Sequence, residues 1–287
     1  MALTYVVVPQ WQGSGSSRAM QLVDGAESIR GDLPSAATRS VDIPLEAGDH
    51  QGTGIHRYSS LLLVRDRTRN ALAADDTPHL TIGGDCGVEL AAIEHVSAQQ
   101  PAVVWFDAHP DLHTAASSPS GAFTGMVLRT LLGDGPAELV PEHPVRADRV
   151  ILAGVRSIDT AEDEYITQSD IRMLGPATFS TEALLDAITA TGADSVYLHI
   201  DLDVLDPAAL AGLGSPVPFG LEASALTEAI RAVLAKFPLA GAGITEFAPS
   251  SAAHAVDDLP TILRLIGALS SANTHSRGSS ETSTETE

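Results

Sequence analysis

Three short motifs set acids and imidazole at alternate positions: Asp107, His109 and Asp111 in DAHPD, Asp201 and Asp203 in DLD, with Cys86 nearby in kind in GGDCG. In extended backbone, residues two apart project to one face, so each motif presents its side chains together. Carboxylates gathered in this way repel one another unless divalent cations neutralise them, and aspartate with histidine is a ligand set for first-row metals such as Mn²⁺. The ligand count suits two ions. A pair of divalent metals about 3.5–4 Å apart activates a bridging water as hydroxide near neutral pH, so metal-assisted hydrolysis is the chemistry to expect. A lone DxD is common in acidic loops; the three motifs together are specific.

Such side chains must be held by elements, and each motif follows a short apolar run. The spacing predicts strands at Thr4 to Val8, His79 to Ile82, Ala102 to Phe106, Arg149 to Ala153, Ser195 to Ile200 and Ala242 to Thr245. Helical periodicity predicts helices at Ser16 to Ile29, Tyr58 to Ala74, Val88 to Ala98, Gly125 to Leu132, Thr181 to Ala190, Ala223 to Lys236 and Leu259 to Leu269. Strand and helix alternating so regularly imply a mostly parallel α/β sheet covered on both faces, with ligands beyond the carboxyl ends of the strands. A single domain over residues 1–272 is expected, followed by an acidic, Ser/Thr-rich tail, 273–287, without large apolar residues and expected to be disordered.

The chain has 287 residues and a net charge of −21, which argues against nucleic acid as a partner. No apolar run is long enough to span a bilayer, and MALTYVVVPQW lacks a basic region and cleavage site, so a cytoplasmic protein without a membrane partner is expected. The one cysteine, Cys86, excludes an internal disulfide.

From GGDC to TEFAPS at Thr245 to Ser250, the order and spacing of these motifs resemble the ureohydrolase family, which includes arginase, agmatinase, guanidinobutyrase and formiminoglutamase. The resemblance implies a three-layer α/β/α sandwich carrying two Mn²⁺ ions, and attack of a metal-bridging hydroxide on a guanidino or amidino carbon. It implies that Asp107 and Asp201 bridge both metals, that Cys86 and Asp111 complete one site, and that His109 and Asp203 complete the other. Glu246 matches the acid that holds the substrate guanidinium, Ser120 lies where the far end of the substrate is contacted, and Asp159 and Glu162 match acids facing an α-amino group. Physical chemistry agrees for two of these: a carboxylate such as Glu246 suits the forked donors of a guanidinium, and Asp111 can pass a proton from nucleophile to leaving amine. Asp159 and Glu162 also suit the start of a helix as caps. Relatives form trimers or hexamers, so a homo-oligomer is expected.

Departures from the family pattern sharpen the reading. Cys86 replaces a metal-binding histidine, and a thiolate shifts preference from Mn²⁺ toward Zn²⁺, Fe²⁺, Co²⁺ or Ni²⁺. Thr124 stands where arginases carry a proton-shuttling histidine; His199, two before Asp201, is the candidate substitute as a catalytic proton relay. His113 and Ala122 replace asparagines that read an α-carboxylate, so the expected substrate is a small guanidino or amidino compound other than, or in addition to, arginine. Two rivals follow: a metal-poor relative keeping the fold as a binding or regulatory protein, motivated by Cys86 and Thr124, and a one-zinc deacetylase, which would lack the full DAHxD and DxD set.

Overall fold

The apolar runs become eight strands of one parallel sheet, and the periodic stretches between them become helices on its two faces. In a computed structural model, which describes residues 3–271, the chain runs β1 (Thr4–Val8), α1 (Met20–Gly31), β2 (Thr38–Ser40), α2 (Tyr58–Leu72), β3 (His79–Gly83), α3 (Glu89–Ser97), β4 (Ala102–Phe106) and α4 (Val127–Leu131). It continues β5 (Val150–Ala153), α5 (Thr160–Gln168), β6 (Arg172–Leu174), α6 (Thr181–Thr191), β7 (Val196–Asp201), α7 (Ala223–Lys236), β8 (Leu239–Thr245) and α8 (Ala252–Ser271). The sheet order is β2-β1-β3-β8-β7-β4-β5-β6, and every pairing is parallel. The expected domain limit at 272 and the tail 273–287 lie outside the described residues. No helix among the described residues is long and apolar enough to cross a membrane.

Alternation along the strands builds two apolar layers. On β4, Ala102, Val104 and Phe106 face a core shared with α1, α6, α7 and α8, while Val103 and Trp105 face a second core shared with α2, α3 and α4. Both faces are covered, the three-layer α/β/α arrangement that parallel sheets require. Each fully buried aliphatic side chain contributes roughly 1.5–3 kcal/mol. Val104→Asp would place an unpaired charge in the first layer, at a cost of several kcal/mol.

Two strands go beyond the sequence reading, and two helices extend it. β2 and β6 are three residues each, sit at the sheet edges, and carry Arg39 and Arg172, so no apolar run announces them. Helix α5 is preceded by Asp159, whose backbone N–H donates to Glu162 Oε2 at 3.1 Å in a capping box. Helix α8 starts at Ala252, well before the expected Leu259, and continues through Pro260. Asp258 anchors it by accepting hydrogen bonds from the backbone of Ala211 and Gly212.

Candidate metal centre

Four adjacent central strands, β3, β8, β7 and β4, deliver the chemistry-bearing motifs at their carboxyl ends. After β3, the GGDCG turn is fixed by Asp85, a residue to which the sequence reading gave no role. Its buried carboxylate accepts from Gln10 Nε2 at 2.6 Å, Gly13 N at 2.7 Å and Gly87 N at 2.8 Å. Burial raises its pKa to about 6 against those hydrogen bonds. The turn thereby presents Cys86, whose Sγ lies 3.1 Å from Asp201 Oδ2 and 3.3 Å from Thr245 Oγ1. Burial, and then the charges of Asp201 and Glu246, push this thiol well above its usual range.

The β4 and β7 motifs interlock. Asp107 Oδ1 accepts from His109 N at 2.6 Å, and its Oδ2 accepts from Trp105 Nε1 at 3.1 Å. Asp201 Oδ1 accepts from Asp203 N at 2.8 Å, and Asp203 Oδ1 accepts from Ala108 N at 3.0 Å. The ring of His109 bridges the two loops, Nδ1 standing 3.1 Å from Asp203 Oδ2 and 3.4 Å from Asp107 Oδ1. Burial opposes a charge on His109, yet these two aspartates raise its pKa to about 12. Burial, and then the charges of Asp203 and Asp107, drive the Asp201 carboxyl well up.

Asp111 and Glu246 share a backbone signature, with left-handed φ values of 53° and 65°. Residues other than glycine adopt that conformation at a cost, which concentrates at functional sites. Asp111 is buried, and its Oδ2 has no hydrogen-bond partner. Burial, and then Asp107, raise its pKa well above the carboxylate range. Glu246 Oε1 accepts from Cys86 N at 3.2 Å, so β8 and the GGDCG turn lock together at the site.

These residues open onto a cleft of about 480 Å³ lined by Cys86, His109, Asp111, Asp201, Asp203 and Glu246, with Ser120, His113, Asp159 and Glu162 farther out. His113 Nε2 lies 3.0 Å from Asp159 Oδ2 and its Nδ1 3.2 Å from Ser117 Oγ, so both ring nitrogens are engaged. Glu162 is turned to structure, its oxygens accepting from Leu112 N at 3.0 Å and Asp159 N at 3.1 Å. Ser120, at the exposed rim, accepts from Ala122 N at 3.2 Å. His254 is exposed and its Nδ1 lies 2.9 Å from both Ser250 Oγ and Ser251 Oγ.

The donor set fits divalent cations. Candidate ligand atoms fall into three groups, each within 4.8 Å: His113, Asp159 and Glu162 in the outer cleft, and two at the strand ends, Cys86, Asp107, His199 and Asp201, and Asp107, His109 and Asp203. Asp107 belongs to both strand-end groups, as a bridging ligand must. Two placements differ from the sequence reading. Asp111 lines the cleft but belongs to none of these groups. His199 does not line the cleft: it is fully buried, with Nε2 3.7 Å from Asp107 Oδ2.

A parallel sheet with buried aspartates, a histidine and a buried thiol at its carboxyl edge defines an α/β protein with a carboxylate-rich candidate metal site. The arginase family model matches residues 20–260, and the chain belongs to the arginase family. An arginase from Staphylococcus aureus (strain MRSA252) is 29% identical over 207 residues, 67% of each chain, so the chain matches about two thirds of that relative's length. An Entamoeba histolytica arginase solved with L-ornithine superposes with a TM-score of 0.82 at 24% identity, covering 93% of this chain and 97% of that one. Formimidoylglutamase from Bacillus subtilis gives a TM-score of 0.73 at 18% identity, covering 93% and 87%. The fold is therefore the ureohydrolase fold, on which differently named hydrolases are built.

Proposed function

We propose that this chain hydrolyses a linear guanidino or amidino compound, releasing urea or its analogue. The observation that carries the reading is the buried carboxylate Asp107 shared by two ligand groups, whose members Cys86, His109, Asp201 and Asp203 line the cleft, in a chain of this family. When bound, two divalent cations would supply Lewis acidity and an activated water. Cys86, Asp107, Asp201, His109 and Asp203 would hold them, with Asp111 at the wall; Mn²⁺ is the family's ion, and the sulfur donor favours softer ones.

The chain's own residues then have distinct tasks. Glu246 accepts the forked N–H groups of the guanidinium and sets the carbon above the aspartates. The free oxygen of Asp111 takes the proton of the attacking water and returns it to the departing nitrogen, which leaves as an amine. The buried floor excludes bulk water, so these charges act in a low dielectric.

The outer cleft supports a substrate other than, or in addition to, arginine. His113 is occupied by Asp159 and Ser117, and Ala122 offers no hydrogen bond at the wall. The test is a panel of arginine, agmatine, guanidinobutyrate, guanidinopropionate and formiminoglutamate, assayed for urea or formamide with Mn²⁺, Co²⁺, Fe²⁺, Ni²⁺ and Zn²⁺. Release of product from one compound, dependent on added metal, is expected. Two bound ions with no turnover of any amidine would overturn the reading.

A further inference from the structure

His199 lies in register with Trp105 of β4 on one side and Gly243 of β8 on the other. Its ring stacks on Trp105 with centroids 3.6 Å apart. On the other side the absence of a side chain matters, because a Cβ at Gly243 would overlap Glu89 Oε1. Glu89 fills that space: its Oε1 is 3.5 Å from His199 Nδ1, and its Oε2 accepts the Tyr197 hydroxyl at 2.6 Å. The other ring nitrogen, Nε2, is 3.7 Å from Asp107 Oδ2. Glu89 and His199 are both fully buried, and neither ring nitrogen makes a hydrogen bond among the described residues.

A buried imidazole with two unpaired nitrogens is costly, and an apolar side chain would fill the same volume without that cost. The surroundings point to a ligand. Donor atoms of Cys86, Asp107, His199 and Asp201 lie within 4.8 Å of one another, close to the span of two metal–ligand bonds of about 2.0–2.3 Å each. Behind the ring, a carboxylate facing the remote nitrogen is the arrangement that keeps Nδ1 protonated and leaves the Nε2 lone pair free for a metal.

We propose that His199 Nε2 is a metal ligand, and that Cys86, Asp107, His199 and Asp201 form a mixed sulfur, nitrogen and oxygen site selective for Co²⁺, Fe²⁺ or Zn²⁺ over Mn²⁺. Glu89 is a positioning residue that acts through His199, and Tyr197 and Gly243 set its carboxylate in place. The proposal rests on the dinuclear reading above and adds a ligand that reading does not use.

The experiment takes the full chain, stripped of metal and titrated with Co²⁺, and counts nitrogen and sulfur neighbours by X-ray absorption at the cobalt edge. Two ions sharing two imidazoles, from His109 and His199, and one thiolate are expected. His199→Asn should remove one imidazole and weaken one of the two ions by roughly 100-fold, with a smaller loss for Mn²⁺. Glu89→Gln should keep both imidazoles while weakening the same ion by about 10-fold. Two ions with a single imidazole in the unaltered protein would overturn the proposal and leave the dinuclear reading standing. Failure to bind any divalent ion would sink both. Because the count on the unaltered protein decides by itself, a variant that does not fold leaves the test intact.

Discussion

His113 and Asp159, brought together from the loops after β4 and β5, meet with Nε2 and Oδ2 3.0 Å apart at the outer wall of the cleft. No lysine or arginine is among the described residues lining that cleft, whereas Asp159 is largely exposed there. A guanidino compound with an amine at its far end should therefore be used better than one ending in a carboxylate. Asp159→Asn should narrow that preference by about tenfold, the worth of one charge-assisted hydrogen bond. The ratio of kcat/KM values for agmatine and guanidinobutyrate measures it, and an unchanged ratio would remove Asp159 from substrate selection.

Glu246→Gln keeps the shape of the side chain and loses its charge. The expected result is a fall in kcat/KM of about 100-fold or more, with the number of bound ions unchanged. Metal analysis alongside steady-state kinetics checks both parts. Loss of an ion in the variant would mean that Glu246 holds metal rather than guanidinium.

Gly243→Ala would force the new methyl against Glu89 Oε1 beneath the metal centre. Overpacking of this kind costs about 1–3 kcal/mol, read as a lower urea midpoint. In the double variant with Glu89→Ala the two effects should not add, because the second change removes the atom that clashes. Simple additivity in the double variant would show that the strain lies elsewhere.

His79 opens β3 and is buried, with its Nε2 3.4 Å from Asp75 Oδ1. Burial, and then the neighbouring His95, hold its pKa below the usual histidine value. Below about pH 6.5 the unfolded chain binds this proton more readily than the folded one, so stability rises with pH through that window and falls on acidification. The contribution is at most about 1.4 kcal/mol per pH unit. Urea midpoints measured between pH 7 and pH 5 should fall less steeply for His79→Gln, and parallel curves would exclude His79 as a source.

Cys86 is buried, and its thiol is held un-ionised by burial and the surrounding carboxylates. At pH 8 iodoacetamide should modify the folded, metal-free protein roughly 100-fold more slowly than the urea-unfolded chain. Mass spectrometry of timed samples gives both rates. Equal rates would place the thiol in open solvent and away from the ligand group.

The sequence by itself determined the strands that carry the motifs and the residues at their ends. Short apolar runs rich in β-branched and aromatic residues, such as Ala102–Phe106, suit buried strands, and polar residues that close such runs must find partners. That reasoning reached Asp107, His109, Asp201 and Asp203 because alternation in extended backbone is a local property, whereas the roles of Cys86 and Glu246 came from the resemblance to the ureohydrolase family. It also allowed Asp159 and Glu162, assigned to the substrate by resemblance, to serve as helix caps, since a capping box is written within four residues. The edge strands β2 and β6 were not legible, because three residues with an arginine have no pattern of their own and pair only where a neighbouring strand is already in place.

What only the tertiary structure decided is which groups stand behind those ligands. Glu89 reads in the sequence as one acid in a buried helix, and nothing local links it to Tyr197, Gly243 or His199; the link exists because β7 lies between β4 and β8. The same packing buries His199 against Asp107, outside the cleft lining, while Asp111 lines the cleft. Distance between side chains from remote segments follows from strand order and backbone handedness, and neither is encoded in any short stretch of residues.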